Sequence, residues 1–171
     1  MSSYAREFLQ FELDGQFYGV GTADVERVIP AVRPTRLPKT PAIVEGAINL
    51  RGAIIPVLDI RARFRLQPKP TALGDFLIVA LAGERRVAIR ADRVIGLVKI
   101  DRGEIHAAKS VFPTENQITD IATLPEGVVL LHDLRAFLTR AEDEALAEAM
   151  NAGAAGEPTA SGPLASGAVL P

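Results

Sequence analysis

Phe8-Leu9-Gln10-Phe11-Glu12-Leu13-Asp14-Gly15 alternates apolar and polar side chains and then closes on a dipeptide that tolerates the positive φ angles of a tight hairpin. Gln16 to Val20 reads as the returning strand. The octapeptide has an echo in Phe76-Leu77-Ile78-Val79-Ala80-Leu81-Ala82-Gly83, 68 positions later (76 − 8). A short strand and an Ala-Asp pair follow each copy, Ala23-Asp24 and Ala91-Asp92. A second pair of segments, Val57 to Ala62 and Leu131 to Ala136, lies 74 apart (131 − 57) and shares an Asp-Φ-Arg-Ala ending. Strand chemistry is reused in all β-proteins, but matches recurring in one order point to a duplicated five-strand unit. The predicted fold is therefore mainly β with short helices: two similar, intertwined five-stranded β-barrel subdomains and a C-terminal helix.

The remaining segments fill in this plan. Thr22 can cap a short helix whose Val25, Val28 and Ile29 share a face. Pro30, Pro34, Pro38 and Pro41 make a stiff extended connector. Apolar runs at Gly46 to Leu50 and Ala53 to Ile60 flank Arg51-Gly52 and predict a hairpin. Helical spacing runs from Asp133 to Met150 through Leu134, Phe137, Leu138, Leu146 and Met150. Asn151 to Pro171 is almost entirely Ala, Gly, Pro, Ser and Thr, too poor in apolar bulk to offset ordering, and predicts a disordered tail. The folded domain is thus expected over residues 7–150 and the tail over 151–171.

Composition narrows the function. A chain of 171 residues that is 48% hydrophobic can bury a sizeable core, and with 5% aromatics that core is built from Val, Ile, Leu and Ala. A net charge of -2 argues against binding a phosphate backbone. The absence of cysteine excludes disulfides and thiolate chemistry and suits a reducing compartment. No signal peptide and no membrane-length apolar run is visible, so the expectation is a cytoplasmic protein without direct membrane insertion.

Catalytic constellations are hard to find. His106 and His132 have no partners at ligand spacing, so no metal and no cofactor is expected. Asp59 and Asp133 each end an apolar strand before a helical pattern, where a carboxylate caps the first free N–H groups more readily than it does acid–base work. Arg61, Arg63 and Arg65 alternate with Ala62, Phe64 and Leu66 and read as a solvated face. With Arg85 and Arg86 they also define an alternative reading, a small β-barrel module that binds anions or nucleic acid.

The stretch from Leu37 to Phe64 is more specific. It resembles the signature of CheW-type chemotaxis coupling proteins through Pro38, Pro41, Gly46, Asn49, Leu50, Arg51, Gly52, Pro56, Asp59 and Arg61. The resemblance extends from about Glu7 to Met150, and Tyr18-Gly19 stands at the family's position in the first hairpin. It implies two five-stranded barrels and a non-enzymatic adaptor. Such an adaptor joins the cytoplasmic tip of a methyl-accepting chemoreceptor to the regulatory domain of a CheA-type histidine kinase, within receptor arrays at the membrane. A groove between the barrels suits a helical hairpin.

On this reading Val25, Arg27, Val28, Ile29, Asn49, Leu50 and Arg51 are candidates for receptor or kinase contact. Gly46, Gly52, Pro56, Asp59 and Asp133 belong to the structural motif. For Val25, Val28 and Ile29 ordinary core packing competes with contact. One position departs from the family: Arg27 stands where a Glu commonly pairs with the arginine equivalent to Arg51. Arg51 is then expected to find Glu26, Glu45 or Asp59, or an acidic group on the receptor. With no kinase or receiver domain in the sequence, a free-standing adaptor is expected.

Overall fold

A computed structural model describes residues 4–110 and 118–155. Eleven strands in the described residues form two antiparallel-rich sheets. They are β1 (Arg6–Leu13), β2 (Gln16–Gly21), β3 (Val25–Pro30), β4 (Val44–Leu50), β5 (Ala53–Leu58), β6 (Phe76–Ala82), β7 (Arg85–Ala91), β8 (Arg93–Ile100), β9 (Ile105–Ala107), β10 (Ile118–Leu124) and β11 (Gly127–His132). The first sheet has the order β8-β1-β2-β11-β10-β9 and the second β3-β6-β7-β5-β4. The mainly β fold with two sheet subdomains and a C-terminal helix is as expected, but the sheets have six and five strands and do not close into barrels.

The duplication is real in the topology, with one correction of register. Leu9 pairs with Leu97, and Ile78 with Val28, so each residue maps onto its counterpart 69 positions away (78 − 9, 97 − 28). Even the irregularities match. The ladder skips Ile95 in one sheet and Glu26 in the other, again 69 apart (95 − 26). A shift of 68 aligns Gly15 with Gly83, but the turns are of different types. Asp14 and Gly15 both have positive φ (50° and 79°), whereas in the second hairpin Gly83 takes the first central position with φ 68°. The later strands hold the 74-residue shift: Val44 pairs with Leu58, and Ile118 with His132.

Under this mapping each sheet contains a hairpin from one half, with four strands of the other in the first sheet and three in the second. The halves are joined by two parallel pairings, β2 with β11 and β5 with β7, and two antiparallel ones, β1 with β8 and β3 with β6. Alternation along β1 sends Leu9, Phe11 and Leu13 into a central core between the sheets, and along β6 it sends Ile78 and Ala80 there. The opposite faces close smaller cores, Leu77 and Val79 with Ile55 and Val57 in one sheet, and Phe8 with Val129 and Leu131 in the other.

Two predicted helices are corrected. Thr22–Asp24 is a single 3-10 turn, and Val25 to Pro30 is the edge strand β3. The helix-like spacing of Val25 and Val28 arises from the bulge at Glu26, which returns both valines to the central-core face. Thr22 caps nothing; its hydroxyl donates to Glu7. At the C-terminus, Leu134–Ala136 is a 3-10 turn, and the α-helix α1 (Arg140–Ala155) starts later than expected and runs past Met150. A reciprocal capping box fixes its start: Thr139 Oγ1 accepts Glu142 N–H at 3.2 Å, and Glu142 Oε2 accepts Thr139 N–H at 2.8 Å. Leu146 is fully buried against the central core. Ion pairs of Glu142 with Arg63 and Asp143 with Arg85 hold the helix down. The remainder of the predicted tail, 156–171, lies outside the described residues.

The proline-rich connector leaves β3, donates Ala31 N–H to Asp75 O at 2.9 Å, and pairs with the outer edge of β4. There Thr35 and Ala47 exchange two backbone bonds of 2.8 Å. Gly46 makes this approach possible. It sits at φ 154°, and a Cβ would lie 2.3 Å from Thr35 O. We expect Gly46→Ala to lower unfolding free energy by about 2–3 kcal/mol in urea titration, from backbone strain and the steric displacement of Thr35. Gly52→Ala, at φ 87° with open space around it, should cost only about 1 kcal/mol. Equal effects would contradict the steric account.

Candidate functional site

The expected contact residues gather at the two edges of the second sheet but do not form one patch. Val25 and Val28 are half-buried at the margin of the central core. Strand alternation turns Ile29 to the other side, where it and Leu50 each pack against the core of Ile48, Ile55 and Leu77. Asn49 has a local job: its Oδ1 accepts Gly52 N–H at 2.8 Å and shapes the hairpin in which Arg51 takes φ 53°. Pro56 is buried opposite Ala47. Arg27 and Arg51 are exposed, and neither side chain has an ion pair or hydrogen bond among the described residues.

The acids proposed for Arg51 are engaged elsewhere. Glu26 accepts from Arg86 at 3.0 Å. Glu45 and Asp59 both belong to Arg90, a guanidinium only 1% exposed. Arg90 donates to Glu45 through Nη2 at 2.7 Å and Nε at 3.0 Å, to Asp59 at 3.1 Å, and reaches Asp75 at 3.4 Å. Lys69 extends the network by pairing with Asp75 and Asp92, and Asp92 pairs with buried Arg61. A buried cation of this kind needs several acceptors to offset its desolvation, and Arg90 finds them in Glu45 of β4, in Asp59 just after β5, and in Asp75 and the Lys69 carbonyl of the β5–β6 loop.

This network corrects the reading of Arg61, Arg63 and Arg65 as a solvated face. Arg61 is 2% exposed, Arg63 holds α1, and only Arg65 is free on the surface. With Arg85 and Arg86 also in ion pairs, the anion-binding module loses its cations to internal partners. Asp59 Oδ1 accepts Arg61 N–H at 3.1 Å, and Asp133 Oδ1 accepts Arg135 N–H at 3.0 Å, so both carboxylates hold turns.

His132 is buried in an aromatic stack, 4.8 Å from the Phe64 ring centroid and 5.5 Å from that of Tyr18. Burial, aided by Asp14, pushes the Tyr18 phenol up to about 12, so it stays protonated. His106 lies exposed on β9.

Sequence reading overlooked β8. By the 69-residue mapping, Val94, Leu97 and Val98 are the counterparts of Val25, Val28 and Ile29. Val94 likewise packs on the central core, and Leu97 is 67% exposed on an edge strand. The internal repeat was the available signal, obscured by the one-residue difference in register.

Asp92 gives the network a pH signature. Its burial alone would raise the carboxyl, but N–H of Asp14, Arg61 and Lys69 together hold it below the ordinary range. A depressed folded value stabilises above the unfolded value and is lost as pH falls through the folded one. Wild-type stability should therefore drop on acidification from about pH 4 to pH 2. Asp92→Asn should be less stable at pH 6 by about 1–3 kcal/mol, with a gap that narrows over that window. Parallel urea-stability profiles would refute the assignment.

The CheW-like domain family model matches residues 7–142. The chemotaxis protein CheW of Klebsiella aerogenes is 30% identical over 139 residues, covering 80% of this chain and 84% of that protein. A probable chemotaxis protein CheW of Rhizobium etli is 27% identical over 142 residues, covering 82% and 92%. The solved scaffolding protein TtCheW of Thermoanaerobacter tengcongensis superposes with a TM-score of 0.73 at 26% identity, covering 81% of this chain and 95% of that one. With the strand-exchanged double sheet, these matches place the chain in the CheW-like domain family.

Proposed function

We propose that this chain couples the cytoplasmic tips of methyl-accepting chemoreceptors to the regulatory domain of a CheA-type histidine kinase. Membership of the CheW-like family makes it a chemotaxis adaptor and not an enzyme. The partners and the site of action, the cytoplasmic face of receptor arrays, are the proposed part. No helix among the described residues is long and apolar enough to cross a membrane.

The observation that supports this reading is edge strand β3. It offers half-exposed Val25, Val28 and Ile29 beside Arg27, whose charge has no partner among the described residues. Such an edge suits the apolar face of a receptor hairpin, with Arg27 taking an acidic group on it. The counterpart strand β8 borders the same central core and is the added candidate for this contact.

Affinity purification of the tagged chain from its native cells should recover a chemoreceptor together with a CheA-type kinase. Recovery of neither, from cells expressing both, would overturn the coupling role. Arg27→Glu should weaken binding to the cognate receptor several-fold, on the order of 1 kcal/mol, because it reverses an exposed charge at the contact. Titration of receptor-tip fragments measures this, and unchanged affinity and selectivity would remove Arg27 from the interface.

A further inference from the structure

A second surface lies on the connector, away from β3. Residues 31–44 carry Arg33, Arg36 and Lys39 and no acid. All three side chains are exposed and none has a hydrogen bond or ion pair among the described residues. Arg33 and Arg36 line an open groove of about 690 Å³ between the connector and the loop at Pro70 and Thr71. Leu37 and Val44 give its wall an apolar character. The one carboxylate lining the groove, Glu45, is engaged by two bonds to Arg90. Arg33 and Arg36 outnumber it in the lining, so the groove is locally basic although the whole chain is acidic.

The groove is also held in shape. Ala31 and Thr35 are tied by backbone bonds to Asp75 and Ala47, Thr40 Oγ1 donates to Leu37 O at 3.2 Å, and three prolines restrict the path. A partner meets cations that are already placed, so little ordering entropy is lost on binding. Next to lining residues in the sequence, Val32 is 52% exposed and Leu73, two residues beyond Thr71, fully so.

We propose that this groove binds an extended acidic protein segment with interspersed apolar residues, its carboxylates on Arg33 and Arg36. A nucleic acid fits less well, because stacking surfaces are scarce: Tyr4 is the only exposed Phe or Tyr ring among the described residues.

The test is fluorescence polarisation of the full chain with a labelled dodecapeptide of alternating Glu and Val. Its Lys-Val counterpart and a single-stranded oligothymidine of equal length serve as comparisons. The Glu-Val peptide should bind, more weakly as salt rises, while the Lys-Val peptide does not. Arg33→Gln/Arg36→Gln should reduce affinity by at least about tenfold, with an unchanged circular dichroism spectrum and urea midpoint. Lys99→Gln, on the far sheet, should leave it unchanged. Absent binding, equal binding by the double variant, or oligothymidine binding as tightly through the same arginines would each overturn the proposal. None of these results bears on receptor or kinase recovery, so the coupling role stands or falls separately.

Discussion

The structure depends on exchange of hairpins between its two halves. Each hairpin, β1–β2 or β6–β7, is buried on both faces, so it must be covered by strands it does not itself provide. Pairings from across the sequence, β1–β8 and β2–β11 in one sheet and β3–β6 and β5–β7 in the other, close the hairpins' edges, and the two sheets cover each other's inner faces. Neither half can complete its sheet alone, and the central core forms only when both are in place. Contacts of this separation are costly in loop closure, which makes the fold cooperative and ties the two sheets into one unit.

Charge is used inside as well as outside. Arg90 and Arg61 are nearly inaccessible, yet Arg90 is met by Glu45, Asp59 and Asp75 from separate segments, and Arg61 pairs with Asp92. A buried ion network adds little net stability over apolar packing, but removing one partner leaves the others uncompensated, at a cost that reaches about 3–5 kcal/mol for the most buried of them. Its effect is to fix where the β5–β6 loop and the end of β7 sit relative to β4. That leaves other arginines, on β3, on the connector and at the β4–β5 turn, with no internal acid to neutralise them. A protein that works by contact benefits from this division: the paired charges shape the scaffold, and the unpaired ones are those we propose for contact with partners.

Pseudo-symmetry gives an adaptor two versions of one edge. β3 and β8 occupy equivalent places, carry equivalent bulges and border the same core, but differ in side chains: Glu26 against Ile95, Arg27 against Gly96 and Val28 against Leu97. One edge is charged and half-buried, the other apolar and more open. On the coupling role proposed above, one backbone solution would serve two partners, with specificity set by the substitutions.

Much was legible in the sequence because it is local. Asp14-Gly15 and Arg51-Gly52 marked hairpins, alternation at Leu9, Phe11 and Leu13 marked a strand, and the ordered motif from Pro38 to Arg61 marked the family. What depended on distant segments was not legible. Val25, Val28 and Ile29 suggested a helix because a bulge and a helical turn both bring back the same face after three residues, and only pairing with β6 distinguishes them. Arg61 suggested a surface residue because Asp92 is remote in sequence. Local backbone preference and side-chain pattern determine which segments are strands and turns. Which strands pair, which arginines are buried and which remain free is decided by burial shared between residues far apart in the chain, and that exists only in the tertiary structure.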